Sequence, residues 1–281
     1  VNLDRRVARV VLGKPGSVGR VFELINMVFN FKKTLTPEVN PGTLKLYNLS
    51  PTTRRSIHEF ETVCAVQVGY ADLGLTEIFK GYVVSVSSPR EGPNLVTTLE
   101  LRDGYQEVMA ARFAKSYDKN VNLKTIVTDV VKSLNLPLSV STQLTDVADK
   151  KFGRGWSFNG TSRDALTELS KFAGVAWSVQ SGQVKILKVG QVDRTSAVVL
   201  SPITGLLGRP VRLSEDDTTG AVKKRKLGWK LMTLLMPMIE PGNSVTVQSD
   251  EVVGTFKVLT VEHNGELLGK DWTSTIEVGE I

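Results

Sequence analysis

Two histidines, His58 and His263, and one cysteine, Cys64, are the residue types best suited to hold a metal or attack a substrate. Neither histidine has a ligand partner two to four residues away, so zinc-hydrolase spacing is absent. His263 sits in a strand-like run ahead of Asn264-Gly265, where a structural or turn histidine is expected. Cys64 lies in the apolar run Val63-Cys64-Ala65-Val66 and reads as a buried, inert thiol. A lone cysteine builds neither an intrachain disulfide nor a cysteine-based zinc site. There is no Gly-x-Ser-x-Gly elbow to give the serines a base. Gly13-Lys14-Pro15-Gly16-Ser17-Val18-Gly19 lacks dinucleotide-binding spacing, and Pro15 interrupts any run of phosphate-facing amides. Gly265-Glu266-Leu267-Leu268-Gly269-Lys270-Asp271 is too short for a phosphate-binding loop and puts a carboxylate where Ser or Thr should hold magnesium. Both stretches read as loops. Asp216-Asp217 and Asp250-Glu251 fall in polar, turn-like contexts, without the burial that separates two carboxylate pKa values. No catalytic residue, metal site or cofactor is expected, and the chain reads as non-enzymatic.

Two groups of residues keep more than one reading. Lys223-Lys224-Arg225-Lys226 is the one local charge cluster, following Glu215-Asp216-Asp217 and preceding Gly228-Trp229. It is either a solvated loop or a basic loop that meets phosphate or an acidic partner face. Trp156, Phe158 and Trp177 are either core aromatics or stacking surfaces for a glycan.

The elements that would position these residues are mostly strands. Phe29 and Phe31, Leu44 and Leu46, Val66, Val68 and Tyr70, Tyr82, Val84 and Val86, and Leu99 and Leu101 recur at every second position, the period of a half-buried strand. Pro41-Gly42, Ser50-Pro51, Gly74 and Gly92-Pro93 punctuate them, as a closed antiparallel barrel or sandwich requires. A brief helix is expected over 51–60, capped by Ser50. The period then changes. Leu123, Ile126, Val127, Val130, Val131 and Leu134 form one helical stripe with Asn122 as N-cap. A second helix runs from about Arg163 to Ala173, capped by Thr161 or Ser162 and stopped by Gly174. Val175 to Val179 and Val184 to Leu187 read as a hairpin across Ser181-Gly182. Strands return after Glu240-Pro241-Gly242-Asn243. Phe256 and Val258 share one parity and Leu259, Val261 and His263 the other, which predicts a bulge near Val258-Leu259. Trp272, Ser274, Ile276 and Val278 close the chain. No short-period repeat is visible, though a β-rich block stands at each end.

The 281 residues suit two or three compact units, and 41% hydrophobic against 23% charged residues supports an ordinary core. The net charge of +6 is spread thinly: 15 basic and 12 acidic residues over 1–118, 10 and 5 over 119–190, and 10 and 12 over 191–281. That argues against a dedicated nucleic-acid-binding module. Val1 to Arg6 has no apolar stretch behind its charges, so no signal peptide is expected. The longest apolar run, Leu231 to Ile239, is short of the ~18 residues of a membrane span and contains Thr233 and Pro237. A soluble chain made in a reducing cytoplasm is expected.

The order of these features resembles a known family. Leu44-Lys45-Leu46-Tyr47-Asn48-Leu49-Ser50, a short helix with Arg54-Arg55, Val68-Gly69-Tyr70-Ala71 and Ile78-Phe79-Lys80-Gly81 are similar to the N-terminal barrel of phage tail baseplate hub proteins, the Mu-like hub and late control protein D group. Met236-Pro237, Glu240 to Val245, Thr255 to Val258, Val261 to Gly265 and Asp271 to Ser274 resemble its C-terminal part. The resemblance implies a mainly β fold with an α+β insert. It consists of a tail-tube-like antiparallel β-barrel over 1–115, a small α+β domain over 116–190 and a second such barrel over 191–281. It implies a structural homotrimer in the virion baseplate, assembled in the host cytoplasm. Six barrels dock a sixfold tail tube or distal tail protein on one side, and the trimer holds a threefold spike on the other. Genomic DNA passes through the lumen non-specifically, and no membrane is entered. Two other readings stand beside it: a distal tail, tube-initiating or secretion-system hub component, and a cell-wall-binding or hydrolytic tail protein.

Overall fold

The computed structural model describes residues 5–23, 25–139, 150–188, 190–213 and 228–281, the side chains of 194–197 excepted. The fold is mainly β, as the alternating apolar positions require, and the helices cluster between two β-rich blocks.

The first block contains β1 (Arg6–Gly13), β2 (Arg20–Phe22), β3 (Met27–Thr34), β4 (Pro41–Tyr47), helix α1 (Pro51–Arg55), β5 (Val63–Tyr70), β6 (Gly74–Ser87), β7 (Arg90–Glu91) and β8 (Asn94–Arg102). Its strands bury every second side chain, so Met27, Phe29 and Phe31 face inward while Val28, Asn30 and Lys32 face out. Ser50 caps α1 by accepting from the Thr53 amide, and the helix stops at Arg55, shorter than the sequence suggests. The reason lies outside the helix: the chain turns back at Phe60, in the left-handed region at φ 62°, and the Phe60 amide donates to the Val83 carbonyl at 2.7 Å.

The middle unit holds α2 (Tyr105–Ala110), β9 (Arg112–Tyr117), β10 (Val121–Asn122), α3 (Leu123–Ser133), β11 (Lys151–Phe152), β12 (Trp156–Thr161), α4 (Ser162–Ala173), β13 (Val175–Gln180) and β14 (Gln183–Lys188). Asn122 caps α3 and Thr161 caps α4, each through its side-chain oxygen, and Gly174 ends α4 in the left-handed conformation. The β13–β14 hairpin turns on Ser181 and Gly182, both at positive φ, as a tight hairpin demands.

The last block is β15 (Asp193–Leu200), β16 (Leu206–Leu213), β17 (Gly228–Leu234), β18 (Asn243–Gln248), β19 (Val253–Glu266) and β20 (Trp272–Gly279). The expected bulge is present: Val258 pairs with Val278 and Thr260 with Glu277, leaving Leu259 unopposed.

Both blocks use one strand order. The first runs β3-β4-β8-β6-β5-β1, and the last runs β16-β17-β20-β19-β18-β15. The registers correspond as well. β4 meets β8 through seven pairs from Pro41↔Arg102 to Tyr47↔Val96, and β17 meets β20 through seven from Gly228↔Gly279 to Leu234↔Thr273. β6 carries an extra residue, Val84, after its second pair with β8, and β19 carries one, Leu259, after its second pair with β20. The blocks differ at the outer strand, since β1 runs antiparallel to β5 and β15 parallel to β18.

The two barrels do not close separately in their hydrogen bonding. β3 pairs with β4 on one edge and with β19 on the other, so the edge that could close the first block joins the second instead. The result is one 14-stranded sheet that branches at β19 and is open at β2, β15 and β16 among the described residues. Three hydrophobic clusters lie behind it. The first centres on Phe29, Phe31, Leu44 and Phe79 and takes in Trp272 from β20, the second on Leu123, Leu166 and Trp177, and the third on Leu231, Val245, Val258 and Ile276.

Candidate functional site

The join between β3 and β19 makes one outward face from two blocks. Successive pairings place Leu234, Thr273, Asn264, Asn30, Thr43, Glu100 and Ser85 in a single row across seven strands. None of the seven is buried. The row is laced by side-chain hydrogen bonds: Asn30 Nδ2 donates to Glu262 Oε1 and Asn264 Oδ1 at 2.6 Å each, and Thr43 Oγ1 to Glu100 at 3.1 Å. Lys32, Lys45, Arg102 and Lys230 share this face with Glu100, Glu262 and Glu277, so its charge nearly balances. Such a surface carries polar groups without a strong field of either sign.

Behind the join, charged groups are buried where the three units meet. Lys33, 1% exposed, donates from Nζ to Ser181 Oγ at 3.1 Å and pairs with Glu240 Oε1 at 3.3 Å. Asp103, fully buried, accepts from the amides of Ser181 and Gly182 at 2.6 and 2.8 Å. The hairpin tip of the middle unit is therefore held by Lys33 and Asp103, and Glu240 of the last block pairs with that same Lys33. Asn40 Nδ2 reaches the Val179 carbonyl, Gln180 Nε2 returns to the Thr34 carbonyl, and Lys185 pairs with Asp193 at 2.9 Å. Burial pushes Asp103 up to about 6, against the pull of Lys33 and the two amides. Burial also works to raise Glu240, but Lys33 and Lys185 outweigh it and hold that carboxylate below its ordinary value. Burial depresses Lys257, aided by Lys185. Buried pairs of this kind fix an arrangement more than they add stability.

The sequence carried a signal for Lys33 that its residue type obscured. The parity that sends Phe29 and Phe31 inward sends Lys33 inward too, whereas the parity of Phe256 and Val258 would send the buried Lys257 outward. Asp103 and Glu240 left no such mark, because their partners lie in other units.

The other residues singled out from sequence take ordinary positions. Cys64 is fully buried and its thiol is pushed up by desolvation. His263 is fully buried in the middle of β19, where the strand continues through Asn264-Gly265. Its Nδ1 lies 2.7 Å from Ser274 Oγ, and burial, with Lys33, depresses it to about 3. Trp177 and Trp156 are 2% and 8% exposed, and the Trp156 Nε1–H donates to Glu168 Oε1, so both rings belong to the core. Gly16 lies in a loop between β1 and β2. Asp250-Glu251 sits in a bend where Glu251 pairs with Arg209 at 3.4 Å. Lys223, Lys224, Arg225 and Lys226, with Asp216-Asp217, lie outside the described residues. No group of three metal-ligating His, Cys, Asp or Glu side chains occurs among the described residues. No helix in the described residues is long and apolar enough to cross a membrane.

Two blocks of one strand order joined into one sheet make a mainly antiparallel fold similar to that of phage tail proteins. The sequence matches the family described as Baseplate hub gp41 over residues 7–250, and the chain belongs to that family. Among solved structures, the fold is similar to the 43 kDa tail protein of prophage MuSo2 from Shewanella oneidensis. The TM-score is 0.67 and the identity 12%, with 97% of this chain and 98% of that one covered. A tail protein from Neisseria meningitidis MC58 matches with TM-score 0.67 and 10% identity over 97% and 96% of the two chains. An E. coli component of the type VI secretion system, described as structurally similar to the T4 tail proteins gp27 and gp5, matches at TM-score 0.59 and 10% identity. There 96% of this chain and 76% of that chain are covered. No curated protein matches the sequence.

Proposed function

We propose that three copies form a ring at the baseplate centre, adapting a sixfold tail tube to a threefold spike, with DNA passing through the lumen. The observation that carries this reading is the polar row from Thr273 to Ser85, which crosses from one β-block into the other. Duplicated blocks let three chains present six similar units. A near-neutral face of Thr, Asn, Ser and balanced ions neither grips phosphates nor offers base-reading groups, as a passage for moving DNA requires. The division into units 1–115, 116–190 and 191–281 belongs to this proposal, supported by the three separate hydrophobic clusters. So does a purely structural, non-enzymatic role in the virion, with assembly in the host cytoplasm. A ring of this kind buries well above ~2,000 Å² per contact.

A second reading places the same ring in a secretion-system hub, favoured by the likeness to the type VI secretion component. A solution mass paired with a low-resolution image of assembled tails tests both. Three copies on the axis of a phage tail support the first reading. Particles in which the chain sits away from the axis remove both.

A further inference from the structure

The first block and the middle unit leave a cleft of about 650 Å3 between them. Its floor is the outward face of β5 and β6, where Val63 pairs with Tyr82, Ala65 with Lys80 and Gln67 with Glu77. The loop from Lys14 to Gly19 forms one wall, and Glu107 of α2 with the Ser181-Gly182 tip forms the other. Junctions between units are where ligand sites concentrate, and this volume falls in their usual range. The cleft is short of donors. Its cations are Lys14, which is taken up by Glu61 at 2.9 Å, and Lys80. Against them stand Glu77, Asp103 and Glu107. Asp103 is satisfied by the Ser181 and Gly182 amides. Glu107 Oε1 accepts from the Tyr82 hydroxyl at 2.9 Å, but Glu107 Oε2 and Gln67 Oε1 are buried with no partner among the described residues. Burial raises Glu77 against the pull of Lys80 and Lys33. Buried acceptors are normally paired, so two left open on one cleft call for a donor from outside the chain.

The duplicated fold does not demand these groups. Tyr82 and Lys257 open matched registers with β8 and β20, so the pair Gln67↔Glu77 corresponds to Gln248↔Val253 and the pair Ala65↔Lys80 to Thr246↔Thr255. Where the first block has Glu77 and Lys80, the last has Val253 and Thr255, both exposed.

We propose that the cleft binds an extended organic cation, whose ammonium or guanidinium groups donate to Glu107 Oε2 at one end and to Gln67 Oε1 and Glu77 at the other. Gln67 and Val63 stand ~13 Å apart along β5 at ~3.3 Å per residue, so the two ends suit charges spaced along a chain rather than a compact ion. Val11, Val63 and Ala65 lie between them as an apolar strip for its methylenes. The same chemistry comes from a free polyamine or from basic side chains of a neighbouring protein.

Calorimetric titration of the full chain with spermidine, and with agmatine as a guanidinium probe, tests the site at fixed ionic strength. One saturable site is expected for at least one probe. Glu77→Gln and Glu107→Gln should each weaken it at least tenfold, while Glu251→Gln, in a turn of the last block, should leave it unchanged. The bound probe should also protect Glu77 and Glu107 of the wild-type chain from carbodiimide labelling, which decides the matter if a variant does not fold. The same labelling in assembled tails, freed of polyamine by dialysis, separates the sources. Protection of both carboxyls by tenfold or more relative to the free chain assigns the cation to a neighbouring protein, and equal labelling assigns it to a free polyamine. No saturable binding of either probe, or binding that both glutamine variants leave unchanged, overturns the proposal.

Discussion

Asp103 and His263 are both buried and both titrate, but folding moves them to opposite effect. Folding raises Asp103 from 3.8 to about 6, so the native state takes up a proton between those values and this contribution falls as pH rises through 6. Folding lowers His263 from 6.5 to about 3, so the unfolded chain binds the extra proton and this contribution is lost as pH falls below 6.5. The two slopes oppose each other between pH 4 and 6. Relative to wild type, Asp103→Asn should lose stability more steeply on acidification and His263→Gln less steeply, by on the order of 2–3 kcal/mol across that window. Urea midpoints at pH 4.5 and 7 measure both. The reading of Lys223, Lys224, Arg225 and Lys226 as a basic contact loop predicts that charge reversal there weakens tail assembly or DNA passage. Normal assembly and infectivity after that change would assign these residues to a solvated loop.

Bulges decide which side of the sheet a strand serves. Before Leu259, β19 sends Phe256 and Val258 into the third cluster; after it, Val261 and His263 point inward and Thr260, Glu262 and Asn264 line the polar face. Deleting Leu259 lets one alternation run from Phe256 to His263, so Glu262 stays outward and His263 inward while the extra local twist of the bulge is lost. A folded protein whose melting midpoint falls by about 5 °C or less is the expected outcome, read by circular dichroism. This bulge was legible because two apolar parities abut at Val258 and Leu259. Its counterpart was not: Tyr82, Val84 and Val86 look like one unbroken alternation, yet Tyr82 and Val83 are both buried and Val84 is the extra residue. An apolar residue at the bulge itself hid the slip. The capped helices α3 and α4 were legible to within a residue or two, since their apolar stripes and caps are local. Helix α1 was overextended, because its end is set by the contact of Phe60 with Val83, a partner 23 residues away.

At the scale of the whole chain, the β-rich character and the interposed helices could be read from periodicity, and the order of short motifs pointed to the family that the match over residues 7–250 establishes. The open path of the sheet could not be read, because nothing near Phe29 or Phe31 announces a partner more than 230 residues away on β19. Nor could the clamp on Ser181-Gly182, which draws on Lys33, Asp103 and Glu240 from segments far apart in sequence. The duplication itself repeats main-chain pairing while changing the side chains: Thr43 stands where the other block has Lys230, Lys45 where it has Met232, and Tyr47 where it has Leu234. In the three-copy ring proposed above, a neighbour that senses the shared main-chain pairing alone would meet like blocks at every 60° step. A neighbour that senses chemistry finds the pattern recurring only every 120°.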